Sequence, residues 1–438
     1  MKRFALIAVF GTFLNCANND SKNGVLSNFV PKDVSIVFKF SGEPDPSARF
    51  KNFNSALKKN KLLSPFTKKK LYADLWKKAA LLKELNPSKT SLLCISRAND
   101  SSAVYTFITK AAANVLYTDS IENATIDTLL IGKKPVQRIT IDKQIAYVTS
   151  QDSVFIASSS PLIIEALLNG TSEKDLDFQK LLRIDNEGDF TAFIKDQDIK
   201  ISDSTKVSFA SWTRLNMVLL RDGIVATGVA LARDTIPQLL SVFDAQIPQQ
   251  NDIASIVPTT ALEALSFTFS DAETLQFHLK KFQKGSNSEN TTGVFGTVNE
   301  VGEISFTEGK AIFVKSIDPA LTQDALARYI SEKNSFREIK LSLFSEPGLF
   351  EEVFAPFISN VRPTLLFQLD NFFVFAESET IAQQIITAYT SKNCLNNTAY
   401  YEKHSSQLSS ASSLLMLKMQ GQVPMSLSVF LNVEKQAK

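Results

Sequence analysis

Two segments of this chain share one pattern of apolar and polar positions. Each begins with an apolar run typical of a buried strand, passes a short polar turn, and continues with the apolar spacing typical of one helix face. The first segment covers residues 152–168 and the second covers residues 371–386. A constant offset of 219 residues, which aligns Ala157 with Ala376, indicates an internal duplication.

Alternation of apolar and polar residues predicts half-buried strands before the first of these segments. Where the connections between them are short, the strands are antiparallel neighbours, because a parallel crossover needs a much longer connection. The strands predicted in this way are 34–40, 91–96, 103–109, 126–131, 136–141 and 144–150.

The pattern restarts in the second part of the chain. Val257-Pro258 repeats the opening Val30-Pro31, and similar strand and helix patterns follow it. We therefore predict an α+β fold made of two tandem repeats, residues 30–250 and residues 257–438. Each repeat is expected to be an antiparallel sheet with helices packed on one face.

The second repeat lacks one strand that the first repeat has. In the first repeat Asp222-Gly223, a strong hairpin signal, joins the strand-like segments 212–221 and 224–233. In the second repeat Met425–Val433 occupies the place of the first hairpin strand, and no returning strand follows it. Proteins normally cover such an apolar edge. We therefore expect either that the sequence is the N-terminal part of a longer polypeptide, with an incomplete second repeat, or that another chain or domain covers the edge.

The N-terminal residues have the pattern of a targeting signal. Two basic residues precede an apolar segment, Phe4–Leu14, which is too short to span a membrane, and Cys16 follows. This pattern resembles a bacterial lipoprotein signal; an ordinary secretory signal with a chance cysteine is the alternative. We predict a signal peptide at residues 1–15, lipidation of Cys16 and a tether at residues 16–29. The predicted location is the cell envelope, as a membrane-anchored lipoprotein of the outer membrane.

The composition indicates a folded, globular protein with one strongly basic segment. A chain with 44% hydrophobic and 21% charged residues is typical of a folded protein. Between Arg49 and Lys83 there are eleven basic residues and one acidic residue, although the whole chain carries a formal charge of only +2. We favour solvated helix faces for these lysines, because nearby apolar residues have core spacing. The alternative is contact with an anionic surface. The residues singled out for that contact are Lys68, Lys69, Lys70, Lys77 and Lys78.

Residue types that carry catalysis are present without the patterns that catalysis needs. Ser158–Ser160 lie where a strand turns into a helix, but the flanking glycines of a nucleophile elbow are missing. We predict instead that Ser160 caps the helix and that Pro161 takes its first position. His278 and His404 are the only histidines and lack neighbouring ligands. We therefore predict no catalytic, cofactor-binding or metal-binding residues and no cofactor.

Two cysteines follow Cys16, and their pairing stays open. Cys94 lies in a segment typical of a buried strand, whereas Cys394 lies in a polar loop. An oxidising compartment favours a disulfide, but sequence alone does not bring two Cα atoms within bonding range.

Three segments resemble an uncharacterised family of cell-envelope lipoproteins from Gram-negative bacteria. They are the opening Val30-Pro31-Lys32-Asp33, the segment from Asp152 to Ser159, and Ser211-Trp212-Thr213 before the long hairpin. The resemblance covers most of residues 30–280 and is weak beyond them. It implies a lipid-anchored envelope protein of unknown activity and supplies no catalytic residues.

Two functional hypotheses follow from these observations. The first is a non-catalytic, lipid-anchored protein that binds or scaffolds an unknown envelope protein or polymer. The second is an envelope hydrolase whose site is assembled from scattered acids and serines. The expected partners are the membrane, through the N-terminal lipid, and one envelope component; nucleic acid is not expected there.

Overall fold

The computed structural model describes most of the chain after residue 24. The described residues are 25–41, 79–87, 89–97, 103–113, 115–117, 121–184, 188–200, 206–220, 224–233, 237–283, 291–405, 410–420 and 423–434. Nineteen β-strands and eight α-helices lie within these ranges. No helix among them is long and apolar enough to cross a membrane.

Ten strands of the first half form an antiparallel sheet. Across the sheet their order is β4-β5-β6-β7-β3-β2-β1-β8-β9-β10. The strands predicted on either side of Asp222-Gly223 pair with each other as β9 and β10, whereas the turn itself lies outside the described residues. The ten strands are β1 (Val34–Phe40), β2 (Ser91–Arg97), β3 (Ala103–Lys110), β4 (Ala124–Ile131), β5 (Lys134–Ile141), β6 (Gln144–Gln151), β7 (Val154–Ser158), β8 (Phe190–Lys200), β9 (Lys206–Leu219) and β10 (Ile224–Leu231).

Nine strands of the second half repeat this order. They run β14-β15-β16-β17-β13-β12-β11-β18-β19, so each occupies the place of the strand ten numbers earlier. The predicted α+β fold with two repeated antiparallel sheet units is confirmed. The nine strands are β11 (Glu263–Thr268), β12 (Val298–Ser305), β13 (Lys310–Ser316), β14 (Ile330–Phe336), β15 (Ile339–Phe344), β16 (Leu365–Leu369), β17 (Phe372–Ala376), β18 (Leu414–Gln420) and β19 (Val423–Glu434).

A parallel strand pair joins the two halves. Residues 224–231 of β10 pair in parallel with residues 427–434 of β19, whereas the other strand pairs of the described chain are antiparallel. The edge of β19 for which the second repeat supplies no returning strand is therefore paired with the last strand of the first half. The result is one continuous sheet with β4 at one end and β14 at the other.

The helices pack on both faces of the sheet, so the expectation of helices on one face is wrong. One core extends across both halves and contains apolar residues of α1, α4, α5 and α6. The opposite face holds a separate core in each half, under α2 and α3 in the first and under α7 in the second. Strands buried on both faces carry apolar residues at consecutive positions, which is why helices can cover either side. The helices are α1 (Ala80–Glu84), α2 (Pro161–Leu168), α3 (Leu176–Arg183), α4 (Ala272–Phe282), α5 (Pro319–Leu326), α6 (Leu349–Phe354), α7 (Glu379–Thr390) and α8 (Ala399–Ser405).

The duplicated strand-to-helix unit is real, but its offset is 218 residues rather than 219. The N-cap residues of α2 and α7 are Ser160 and Ser378, which align at that offset. Ala157 lies on the sheet face away from α2, whereas Ala376 lies on the face that packs against α7. Successive side chains of a strand point to opposite faces, so a shift of one residue exchanges the two faces. The alignment of Ala157 with Ala376 is therefore wrong.

Candidate functional site

The residues predicted to contact membranes lie outside the described part of the chain. They are Cys16, Lys68, Lys69, Lys70, Lys77 and Lys78. Lipidation of Cys16 and contact of the five lysines with an anionic surface stay predictions.

The serines at the start of α2 tie strands together. Ser158 Oγ donates to the Tyr105 carbonyl oxygen at 2.9 Å, and Ser159 Oγ accepts from the Tyr105 amide at 3.1 Å. Ser160 is the N-cap residue and Pro161 occupies the first turn, as predicted, but the Ser160 side chain makes no capping hydrogen bond. Instead the Ser160 amide donates to Ser158 Oγ. The hydroxyls of Ser158 and Ser159 are thus engaged in structural hydrogen bonds.

The histidines and cysteines occupy separate, mostly buried places. His278 is half-buried on α4, and His404 is buried on α8 with its ring stacked 3.9 Å from that of Tyr400. Cys94 and Cys394 are both buried and both free, so they do not form a disulfide. Burial raises the pKa of Cys394 to about 12. Within the described ranges, no group of three or more potential ligands is placed to hold a metal ion.

A buried charged cluster lies at the start of the second half and was not found from the sequence. The Glu300 cluster is defined as Glu300, Asp252, Ser266, Lys315 and Tyr401. Glu300 has no exposed surface, and its Oε1 accepts from Ser266 Oγ at 2.7 Å and from the Ile253 amide at 3.3 Å. Its Oε2 accepts from the Asp252 amide at 3.0 Å. Both carboxylate oxygens are thus held by donors of the protein itself.

Burial changes the acidity of this cluster. Loss of hydration raises the pKa of Glu300 to about 7, although the hydrogen bonds from Ser266 and the Asp252 amide and the charge of Lys315 act in the opposite direction. Burial also raises the pKa of Tyr401 to about 12, and the negative charges of Glu300 and Asp252 add to that effect. Lys315 forms an ion pair with Asp252. Glu300 therefore exchanges its proton near neutral pH.

The Glu300 cluster holds the segment that connects the two halves. Asp252 and Ile253 belong to this connecting segment, whereas Ser266 and Glu300 belong to the sheet of the second half. Asn251 adds to the attachment, since its Nδ2 donates to Ser266 Oγ at 3.2 Å. The cluster therefore binds the connection to the second half through one carboxylate.

The first half has no carboxylate at the equivalent, described position. Aligned from the opening Val-Pro of each half, Ser266 falls at the position of Lys39. The pairing of β1 with β2 and of β11 with β12 then places Glu300 at the position of Thr90. A sequence signal for the cluster existed: Glu300 interrupts a strand at a position that faces the core, which is unusual for glutamate.

The first half has its own polar cluster, built around Asp175. The Asp175 cluster is defined as Asp175, Asp177, Trp212 and Arg233. Asp175 caps α3 by accepting from the Asp177 amide at 2.9 Å, and its other oxygen accepts from Trp212 Nε1 at 3.0 Å. Arg233 forms ion pairs with Asp175 and Asp177. Burial opposes ionisation of Asp175, but the hydrogen bonds from Trp212, the Asp177 amide and Arg233 outweigh it and lower its pKa.

The outer edge of β4 is a surface of a different kind. β4 pairs along its length with β5, and no described strand pairs with its other side. Leu130 is 75% exposed and Ile126 is 41% exposed. An edge strand presents unpaired backbone groups, so exposed apolar side chains beside them favour pairing with another chain.

The three features differ in what they can do chemically. In the Glu300 and Asp175 clusters the charged groups already bind structural partners, which favours attachment of segments over substrate binding. Along the β4 edge, in contrast, no described strand pairs with the outer backbone groups, and two large apolar side chains are exposed.

Comparisons with known proteins give little further information. No family model and no curated protein match the chain. Crystal form IV of TP0453 aligns over 46% of this chain and 78% of its own length, with 10% identity and a TM-score of 0.27. Crystal form III of TP0453 aligns over 52% of this chain and 88% of its own length, with 11% identity and a TM-score of 0.28. Scores this low carry no argument about fold or function.

Proposed function

We propose that this protein is a non-catalytic, lipid-anchored protein of the cell envelope that binds or scaffolds an envelope protein or polymer. In this proposal Cys16 carries the lipid and the membrane is the outer membrane, as in the resembling family of envelope lipoproteins. The two sheet units, residues 30–250 and 257–438, descend from a tandem duplication. The identical strand order of the two halves supports that origin.

One observation carries the binding role. The exposed apolar side chains of β4 lie along a sheet edge whose backbone groups have no described partner strand. In the buried polar clusters, in contrast, the polar groups already form hydrogen bonds and ion pairs with other segments of the chain. Peptide recognition by an added strand uses such an edge, since backbone hydrogen bonds provide affinity and alternate side chains provide specificity.

A hydrolase is the second candidate, and one contact favours it. Ser266 Oγ lies 2.7 Å from Glu300 Oε1, and a carboxyl group with a pKa of about 7 suits general acid or base chemistry. Both residues are fully buried, however, so the pair lacks access to a substrate. Activity of the wild-type protein on ester or peptide substrates that disappears in Ser266→Ala would support this candidate over the binding role.

The lipid anchor is tested by Cys16→Ala. We expect this variant to move from the membrane fraction to the soluble fraction, because it cannot be acylated. Ser21→Ala, a neutral change in the proposed tether, is the control and should stay with the membranes. If Cys16→Ala still partitions with membranes, Cys16 is not the anchor.

The basic segment is tested on the acyl-free protein Cys16→Ser. Charge reversal of Lys68, Lys69 and Lys70 to glutamate should weaken binding to anionic vesicles, and salt should weaken binding of the unchanged protein. The matched control reverses three exposed lysines elsewhere, Lys133, Lys143 and Lys392. Equal binding to neutral and anionic vesicles would exclude an anionic-surface contact.

The binding role itself is tested by comparing two lysine variants in a pull-down from solubilised envelopes. Leu130→Lys changes the β4 edge, whereas Leu343→Lys changes an exposed leucine of β15, which is paired on both sides. A partner that binds through the β4 edge should be lost with Leu130→Lys and kept with Leu343→Lys. A partner retained by both variants would place the binding surface elsewhere.

A further inference from the structure

The two ends of the sheet are equivalent by topology but differ in chemistry. β4 and β14 occupy the same position in the two halves, and each pairs with one described strand. On β14 the exposed residues include Glu332 and Lys333, which form ion pairs with Lys340 and Glu379. Charged residues discourage the addition of a further strand, so β14 is a protected edge. β4 lacks this protection.

On β4 the exposed side chains are two large apolar residues, two threonines and one ion-paired aspartate. Ile126, Thr128 and Leu130 lie on one face of the strand and are all exposed. The charge is Asp127, which accepts from Arg138 of β5 at 2.6 Å. β4 therefore carries a single charged residue, whereas β14 exposes an unbroken run of polar and charged residues, 331–335.

The sequence of β4 is complementary to itself in one antiparallel register. A two-fold axis through Thr128 places Ile126 of each copy opposite Leu130 of the other and Thr128 opposite Thr128. The cross-strand apolar pairs are then formed twice, which is the geometry of an isologous contact. Asp127 falls opposite Leu129, whereas an axis one residue earlier would place Asp127 directly opposite Asp127 and bring like charges together.

We propose that β4 pairs in antiparallel fashion with β4 of a second copy of this chain, about a two-fold axis at Thr128. The pairing extends the sheet across both molecules and covers the apolar edge. It leaves the two β14 strands as the outer, charged edges of the dimer. In the dimer the second copy occupies the β4 edge, so an envelope partner that binds through this edge would compete with the pairing. The inference goes beyond the proposed function, and purified protein alone is enough to test it.

The geometry is tested by cross-linking full-length protein that carries Cys16→Ser. In this background Cys94 and Cys394 are buried. Thr128→Cys places the new thiols of two copies opposite each other, so a short thiol cross-linker should give a covalent dimer. Asn334→Cys, at a position that is also exposed on β14, is the matched control and should stay monomeric. Equal cross-linking of both variants, or none at Thr128→Cys, would overturn the proposal.

The energetics are tested by sedimentation of the same background without added cysteines. We expect a concentration-dependent dimer, and Leu130→Lys should raise its dissociation constant by about tenfold or more, since two apolar cross-strand pairs are lost. Leu343→Lys is the control and should leave the dissociation constant unchanged. A protein that stays monomeric at all concentrations contradicts the inference, as does edge-dependent binding to lipid vesicles by a monomer.

Discussion

Glu300 brings a carboxyl group into an interior from which charged groups are normally excluded. It remains there because three donors surround its oxygens and because it can take up a proton near neutral pH. The groups that face it are Asp252, Lys315 and Tyr401. Its charge therefore interacts with the ion pair of Asp252 and Lys315 and with the phenol of Tyr401. Protonation of Glu300 is therefore the response to burial that costs this site the least free energy.

Glu300 should make stability fall as pH rises towards neutrality. Its pKa is about 7 in the folded protein, against an ordinary value of 4.5, so between these values the folded state binds more protons than the unfolded state. The free energy of unfolding should decrease by about 3 kcal/mol from pH 4.5 to pH 7 and level off above it. Chemical denaturation at a series of pH values measures this slope.

Two variants separate this effect from other titrations. Glu300→Gln cannot ionise, so the fall assigned to Glu300 should be absent in that variant. Glu346→Gln, an exposed glutamate with the same chemical change, should keep the wild-type slope. A Glu300→Gln protein with an unchanged slope would show that another group is responsible.

The elements of the fold differ in how far the sequence predicts them. The strands of the first half were predicted from alternation, and the strand-to-helix unit was predicted from an apolar run followed by the spacing of one helix face. The hairpin of β14 and β15 was missed, since β14 carries Ser331, Glu332 and Lys333 on an exposed edge and so lacks alternation. Its turn, Arg337-Glu338, has positive φ without glycine or asparagine and gives no turn signal.

Local sequence patterns do not determine how the elements pack or where the polar clusters form. Consecutive apolar residues in β7 and β17 show burial but do not say which face a helix covers, so the side of each helix was undetermined. The Glu300 cluster depends on contacts between residues far apart in sequence, such as Asp252 with Glu300. The β4 edge could be recognised as a strand, but its place at the end of the sheet is a property of topology.

The attachment of α3 depends on Asp175, which serves as both cap and anchor. Asp175→Ala removes the cap of α3 and the acceptor of Trp212 Nε1, which is buried, and leaves Arg233 with Asp177 alone. We expect a loss of about 2–3 kcal/mol in the free energy of unfolding. Because the pKa of Asp175 is lowered in the fold, its contribution is present near neutral pH and is lost as pH falls through that lowered value.

Asp271 provides the matched control for Asp175. Its side chain caps α4 by accepting from the Thr274 amide at 2.6 Å, but it is exposed and anchors no other element. Asp271→Ala should therefore cost only about 1 kcal/mol. Urea unfolding of both variants at neutral pH makes the comparison, and equal losses would mean that the Trp212 and Arg233 contacts add nothing to the cap.

At the scale of the whole molecule, two antiparallel units are joined by one parallel strand pair. The connecting segment is fixed to the second half by the Glu300 cluster, and β10 of the first half completes the edge of β19. Besides the core that both halves share, they are thus linked twice, by covalent connection and by backbone pairing. We expect the two links to make the paired edges of β10 and β19 depend on each other, so that a disruption of β10 also destabilises β19.

Gly228 offers a way to test the joint. In β10 a Cβ at this position would meet the Arg214 carbonyl oxygen of β9 at 1.8 Å, a backbone atom that cannot move away alone. Gly228→Val should therefore push β10 from β9 and disturb its pairing with β19. Hydrogen exchange should show protection lost by about tenfold or more in both strands, since local opening of a paired edge exposes its partner. β14, at the far end of the second half, should keep its protection.

Gly293→Val is the control, because a Cβ there meets no atom within 4 Å. It should leave exchange in β10 and β19 unchanged. If Gly228→Val raises exchange in β10 while β19 stays protected, then β19 is held by β18 alone and the parallel pair contributes nothing to its stability. If exchange rises equally in β14, the variant has unfolded the second half as a whole, and the interdependence would then extend beyond the joint to the entire sheet.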